Sequence, residues 1–172
     1  MLEKIPTSSG LLFASFLYRS DLHSEEELRA FWEAQFGESF FYSPEFNPLT
    51  KYYNKEMGEN LSRFFIVPKK PFKRDQLLLT KLESLNWEKN WAIDSKRMVN
   101  IDIGFISPEN FILATTKNYS HRIYLGEDIF ADLTYYFHEG KFQTLPWTYP
   151  DYVDEKKIEL FTWLRSFLLA QR

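Results

Sequence analysis

The chain has no cysteine, so no disulfide can staple its fold and no thiolate can act as a nucleophile. Any zinc site would have to use histidine and carboxylates. Histidine is scarce too: His23, His121 and His138 are scattered and never fall at an H-x-x-x-H spacing. Six glycines and eight prolines are too few for a disordered or collagen-like chain. No long hydrophobic run is present. The one near the start, Leu11 to Tyr18, is too short to span a bilayer. Arg19-Ser20-Asp21 follows it, where a signal peptide would carry a small-residue cleavage site. Strong charge of one sign is missing as well. A net charge of −3 argues against bulk nucleic-acid binding, although it leaves room for a local basic patch. The phosphate-loop pattern G-x-x-x-x-G-K-[ST] does not occur, nor do G-x-G-x-x-G and G-x-S-x-G. These absences fit a soluble protein of a reducing cytoplasm.

What the chain has in surplus is aromatic. Seventeen Phe, ten Tyr and five Trp among 172 residues supply a large buried area per residue. The length fits one domain, residues 1–172. No internal repeat, low-complexity tract or linker interrupts it. "LLFASFLY" reads as a buried strand. "SEEELRAFWEAQFG" opens a helix with Ser24 and Glu27 as a capping box, a stripe of Leu28, Phe31, Trp32 and Phe36, and Gly37 as the stop. "SFFYS" and "LSRFFIVP" are strands on either side of an irregular stretch from Pro44 to Asn60. Loops of that length are disproportionately functional. "RDQLLLTKLESLNWEKNW" is a second helix with Leu78, Leu82 and Leu85 on its apolar stripe. "MVNIDIGFI" is a fourth strand. This order of strand, helix, strand, strand, helix, strand predicts an α+β fold with a ferredoxin-like antiparallel sheet core, both helices on one face.

An elaboration follows. Ser107-Pro108 looks like an N-cap with proline at the first helical position, which predicts a short helix over "SPENFILATTK". "HRIYLG" and "DIFADLTYYFHEGKFQTL" read as strands forming an added β-hairpin region, with Glu139-Gly140 at a tight turn. "LPWTYPDY" is a rigid bend. "DEKKIELFTWLRSFLLAQR" is a C-terminal amphipathic helix with Ile158, Phe161, Leu164 and Leu168 on its stripe and Asp151 or Asp154 as its cap.

Three clusters carry polar groups that a core does not need. In "RMVNIDIGFIS" the odd positions are apolar, while Asn100, Asp102 and Gly104 share the other face. That face either meets water or floors a site, and Gly104 would let a ligand or another backbone come close. In "TTKNYSHRIYLGED", Lys117 and Arg122 suit phosphate or carboxylate, and His121 suits acid–base work. Lys117 is equally suited to the C-terminus of a helix. His121 and Arg122, as strand neighbours, should point to opposite faces unless the strand bends. In "LPWTYPDY", Trp147, Tyr149 and Tyr152 offer flat surfaces for stacking and Asp151 a ligand, base or cap. The corner could equally serve only to dock the last helix. Magnesium has no motif support: Asp102, Asp132, Glu127 and Asp128 could gather around it, but they share no diagnostic spacing. "RFFIV" has the aromatics of an RNA-binding sheet but lacks the RNP1 pattern.

With these stretches in view, and with "YYNKEMG" at Tyr52 to Gly58, the chain resembles the bacterial family Domain of Unknown Function 4416, from the first strand to the last helix. It departs from the family's N-x-D-P-G pattern in having Ile103 before Gly104, so a proline-stiffened bend is not expected there. Some members of the family are labelled GTP-binding, a label without motif support in this sequence. The resemblance implies a marked set of Tyr53, Glu56, Gly58, Asn100, Asp102, Gly104, Lys117, His121, Arg122, Trp147, Tyr149 and Asp151. The expectation is one shared pocket on the sheet face away from the first two helices. Asn100 and Asp102 form its floor, Lys117 and Arg122 hold an anionic group such as a nucleotide or sugar phosphate, and Tyr149 or Trp147 stacks on a ring. Tyr53, Glu56 and Asp151 complete the ligand-binding set, and His121 or Asp102 is the acid–base candidate. The alternatives are a protein-interaction module built on the aromatic loop and corner, and a single-stranded RNA-binding sheet.

Overall fold

The computed structural model describes residues 6–49 and 51–172. Its strands are β1 (Ser9–Arg19), β2 (Ser39–Tyr42), β3 (Leu61–Pro68), β4 (Pro71–Lys73), β5 (Val99–Ile106), β6 (Asn110–Thr115), β7 (Arg122–Gly126), β8 (Ile129–His138) and β9 (Lys141–Thr144). Its helices are α1 (Glu25–Phe36), α2 (Asn54–Met57), α3 (Leu77–Asn90) and α4 (Glu155–Ala170). The strands form one nine-stranded sheet in the order β2-β3-β1-β5-β6-β8-β7, with β4 beside the start of β1 and β9 beside β8. Every pairing is antiparallel. Among the described residues no helix is long and apolar enough to cross a membrane.

The continuous apolar run of β1 has a simple cause: both faces of the sheet are covered. Leu12, Ala14, Phe16 and Tyr18 pack on one side with Leu28 and Trp32 of α1, and with Ile101 and Ile103 of β5. Leu11 and Phe13 pack on the other side with Phe65, Phe111 and, from α4, Phe161 and Leu164. Phe64 and Phe65 therefore lie in opposite cores, fully buried. The aromatic sheet surface that an RNA-binding reading of "RFFIV" needs does not exist. Ser24 caps α1 by accepting from the N–H of Glu27 at 3.1 Å, and Asp154, not Asp151, caps α4.

The sheet is larger than the expected core because β7, β8 and β9, the expected hairpin region, continue it, and because two further strands, β4 and β6, join it unexpectedly. The three-residue strand β4, opened by a proline, gave no strand signal. The helix expected after Ser107 is instead a tight turn into β6. Ser107 Oγ accepts from the N–H groups of Glu109 and Asn110, at 3.3 and 3.1 Å, as a helix cap would. The residues that follow alternate, however: Phe111 and Leu113 enter one core, Ile112 and Ala114 the other. The two-residue period overrides the cap. Lys117 consequently follows a strand. Gly104 is required here because β6 crosses close by: a Cβ on it would lie 2.3 Å from the Ile112 carbonyl oxygen. The close approach is that of a second backbone.

The stripe of α3 also differs from expectation. Leu78, Leu82 and Leu85 flank the contact, half-buried, while Thr80, Lys81, Ser84 and Glu88 are buried at its centre beside Leu77. The cause lies in the sheet. β1 pairs with β5 along its length, down to Tyr18↔Val99, but β6 leaves β5 after Ile103↔Ala114. Ile101 therefore has no strand on that side, and buried backbone groups must find partners. Lys81 Nζ donates to the Ile101 carbonyl at 3.0 Å, and the Ile101 N–H donates to Glu88 Oε1 at 2.7 Å. Burial pushes the Glu88 carboxyl up, against the pull of Lys81 and Arg97. Lys81→Met should therefore strand the Ile101 carbonyl and remove part of the positive charge that offsets the burial of Glu88, which keeps Arg97 and the Ile101 N–H. The expected loss is about 3 kcal/mol of unfolding free energy, read from urea denaturation. A loss within experimental error would mean that water replaces the ammonium.

Candidate functional site

Where β6 leaves β5, the sheet face beneath α4 turns from apolar to polar. Ser15 is the one serine in the apolar run of β1, and it sits opposite Asp102 of β5. Arg63 of β3 is buried beside them. Its Nη1 donates to Ser15 Oγ at 2.5 Å and to Asp102 Oδ2 at 3.1 Å, and its Nε lies 3.2 Å from Asp151 Oδ2. Asp151 accepts from the N–H of Leu49 at 2.7 Å, so it ties the irregular loop to the corner before α4. Beyond Asp102 the network continues. Asn100 Nδ2 donates to Asp102 Oδ1 at 3.2 Å, and Arg97 Nη1 donates to Asn100 Oδ1 at 2.6 Å. Arg97 Nε and Nη2 grip the Glu56 carboxylate at 2.6 and 2.7 Å. That bidentate pair anchors α2, which ends at Gly58 with φ 83. It also holds the Glu56 carboxyl below its ordinary range.

A second centre forms around Asp132 of β8, which is buried. His121 Nε2 lies 3.0 Å from its Oδ2, and Arg122 Nε donates to the same oxygen at 2.7 Å. The expected divergence of His121 and Arg122 does not arise, because His121 precedes β7 and lies in a turn. Arg122 is fully engaged. Its Nη1 donates to the Lys117 carbonyl at 2.8 Å, its Nη2 to Tyr149 Oη at 3.0 Å, and its guanidinium lies 4.7 Å from the Tyr119 ring centre. Trp147 stacks on His121 with centroids 4.5 Å apart and donates from Nε1 to the Leu133 carbonyl at 2.7 Å. Unlike Arg63, Arg97 and Arg122, Lys117 has no ion pair among the described residues. Its Nζ donates to Tyr52 Oη at 2.5 Å and lies 4.1 Å from that ring's centre.

The two centres meet at adjoining cavities. A groove of about 390 Å³ has largely aromatic walls: Tyr52, Tyr53, Tyr119, His121, Trp147 and Tyr149 line it together with Lys117 and Arg122. A narrow crevice of about 70 Å³ holds Asn100, Asp102, Lys81, Arg97 and Asp132. Tyr53, Lys117 and Tyr149 line both. Of the sequence candidates, Asn100, Asp102, Tyr53, Lys117, His121, Arg122, Trp147 and Tyr149 thus share one region. Glu56 and Asp151 stand behind it, as partners of Arg97 and Arg63. Arg63, Arg97 and Lys81 were missed. The available signals were an arginine beside "FFIV" and a lysine on a helix stripe. A larger cavity of about 490 Å³ lies over Leu12, Phe36 and Phe72, but its charged groups, Lys70, Lys73 and Glu83, do not converge on one point of it through any bond or ion pair. The groove and crevice are the stronger site because buried charges are directed at them.

Asp102 shows what the network does. Burial alone would raise its carboxyl. Arg63 and Lys81, with hydrogen bonds from Arg63 and Asn100, outweigh that and leave it lowered. Asp102 in turn raises the Tyr53 hydroxyl, aided by burial, so Tyr53 is a neutral donor or acceptor at the junction. As for metals, among the described residues no three His, Asp or Glu side chains gather as a site. Glu127 and Asp128 form the β7–β8 turn, with φ 48 and 57, at the far end of the hairpin from Asp132.

A family model described as Domain of unknown function (DUF4416) matches residues 8–167. Neither the curated proteins nor the solved structures contain a match to the chain.

The lowered Asp102 carboxyl carries a sign. Its stabilising contribution is complete above the ordinary carboxylate value of about 3.9 and is lost as pH falls through the lower folded value. Asp102→Asn should therefore differ most from wild type above pH ~4 and converge with it in stronger acid. Urea midpoints measured from neutral pH down into acid check this; a difference constant with pH would remove the linkage.

Proposed function

The chain belongs to the DUF4416 family, and from that premise we propose that it binds a small, ring-bearing anion in the aromatic groove. A nucleotide or a sugar phosphate has the required chemistry. One observation carries the reading: Lys117, a cation without an ion pair, lies over the Tyr52 ring and lines both the aromatic groove and the polar crevice. A partly desolvated ammonium favours an anion, and the rings favour a flat body or the apolar face of a sugar. The groove volume of about 390 Å³ suits a ligand of that size.

In this reading Lys117 contacts the anionic group. Tyr52 and Tyr149 cover the ring, and Tyr53, Asn100 and Asp102 receive polar groups that reach the crevice. Arg122 positions rather than binds, because Asp132, Tyr149 and the Lys117 carbonyl already occupy its donors. Asp151 and Glu56 likewise act through Arg63 and Arg97. If the site performs chemistry, its acid–base group is His121, whose Nε2 is held by Asp132 so that Nδ1 is the free position. We further read β1, α1, β2, β3, α3 and β5 as a ferredoxin-like core. The order β2-β3-β1-β5 and the packing of α1 and α3 against one core are the support for this. On this reading the remaining strands and α4 are the part that builds the site. The lack of cysteine supports placing the protein in a reducing cytoplasm.

The test is a melting-temperature screen with nucleoside monophosphates and sugar phosphates, set against the matching nucleosides and inorganic phosphate. Binding to the native state raises the melting temperature by mass action. The combined ligand should shift it more than either half. Lys117→Ala should weaken binding roughly tenfold, about 1.4 kcal/mol, while leaving the unliganded melting temperature near wild type. A screen without shifts, or shifts that survive Lys117→Ala and Tyr52→Ala, would overturn the reading.

A further inference from the structure

The two ends of the sheet are built differently. The β2 end is irregular and occupied. Its register with β3 shifts between Ser39 and Phe41, Phe40 stacks on Phe167 of α4 at 4.1 Å, and Arg29 covers the Tyr42 ring at 4.4 Å. At the other end β7 pairs with β8 on one side only. Its Ile123, Tyr124 and Leu125 are 67%, 61% and 38% exposed. Three consecutive apolar residues on an open strand edge, without charge or proline, are a template for another strand.

We infer that this edge pairs with the same edge of a second copy, antiparallel about a two-fold axis at Tyr124. Two features select a second copy. The first is register. Under that symmetry Ile123 lies opposite Leu125 and Tyr124 opposite itself, so each apolar residue meets another. The second is charge. The segment leading into the strand carries Lys117, without an ion pair, and Arg122, balanced by Asp132. The turn at its end carries Glu127 and Asp128, exposed and without ion pairs among the described residues. Antiparallel self-pairing places the acidic turn of one copy beside the basic end of the other, whereas parallel pairing would place like ends together. The register shift after Tyr124 keeps the pairing short, so the dimer is weak and exchanges with monomer. The strand starts at the groove, so the second copy's Glu127-Asp128 turn would lie at the groove's rim beside Tyr119 and His121. The second copy would thereby limit which ligands enter.

The absence of cysteine makes the test direct. In Tyr124→Cys the only thiols of the two copies would meet at the axis. Directly opposed Cα atoms in antiparallel strands are about 4.5–5.5 Å apart, within disulfide reach. Mild oxidation should give a cross-linked dimer from Tyr124→Cys and little from Tyr42→Cys, whose thiol lies on the opposite edge. Sedimentation velocity of the wild type at roughly 100 μM should show dimer that declines with added salt. Tyr124→Lys, which sets two ammonium groups against each other, should be monomeric with an unchanged circular dichroism spectrum. A wild type that sediments as monomer, equal cross-linking of both cysteine variants, or a dimer that survives Tyr124→Lys would each overturn the inference. None of these readouts involves a ligand, so they stand apart from the groove's own test.

Discussion

Arg63 is the charge around which this molecule is arranged. Its side chain is 3% exposed, and an arginine cannot shed its proton to enter an apolar interior. It must therefore be met by carboxylates, and it is met by two, Asp102 and Asp151, with the Ser15 hydroxyl as a further acceptor. Each partner comes from a different place: β5, the corner before α4, and β1. Burial depresses the guanidinium's hold on its proton, and the surrounding anions more than restore it. Buried ion pairs of this kind add little net stability compared with a well-packed apolar core, but removing one partner is expensive. Their effect is selective. Only the arrangement that brings β1, β3, β5 and the corner together leaves no charge stranded.

The same logic explains why the sheet is opened rather than closed. β5 and β6 could have continued to pair beyond Ile103, which would have covered Ile101 and sealed the crevice. The chain instead satisfies Ile101 with Lys81 and Glu88 from α3, two side chains whose burial is costly unless they replace a strand. Side chains can end flush with a crevice where a strand would fill it. The polar centre of α3 and the gap in the sheet are one feature seen from two sides, and it leaves Asp102, with 26% of its side chain exposed, as the member of the Arg63 network that reaches solvent.

Much of this was legible in the residues. β1, α1, β3, α3, β5 and α4 follow from hydrophobic period and capping, because those signals are local. The three polar clusters could be singled out as residues a core does not need. Their union could not, because it depends on tertiary events without a local signature: the departure of β6 from β5, and the turn that frees His121 from strand geometry. The helix expected after Ser107 shows a local signal defeated. Its cap is real, but the cap's hydrogen bonds serve a hairpin turn, since Phe111 and Leu113 are needed in the core beneath α4. Arg63 escaped notice because an arginine beside four apolar residues looks like the end of a strand. Only its partners, at positions 15, 102 and 151, show that it lies at the centre.

The charge pattern of the site also limits what it can recognise. Around the crevice, Arg63 is matched by Asp102 and Asp151, Arg97 by Glu56 and Glu88, and Arg122 by Asp132. Groups so matched hold one another in place and have little field left for a ligand. A site built for a polyanion would leave several cations unpaired. This one leaves two lysines without an ion pair among the described residues: Lys81, whose ammonium is buried against the Ile101 carbonyl, and Lys117, set among rings that contribute contact area without charge. The arrangement therefore suits a compact anion with a flat or apolar body, and it disfavours a nucleic-acid backbone, whose affinity grows with the number of phosphates neutralised. The net charge of −3 points the same way. A weak two-fold pairing at β7 would add the acidic turn of a second copy to the rim, raising a further barrier to long polyanions while leaving the mouth open to small ones.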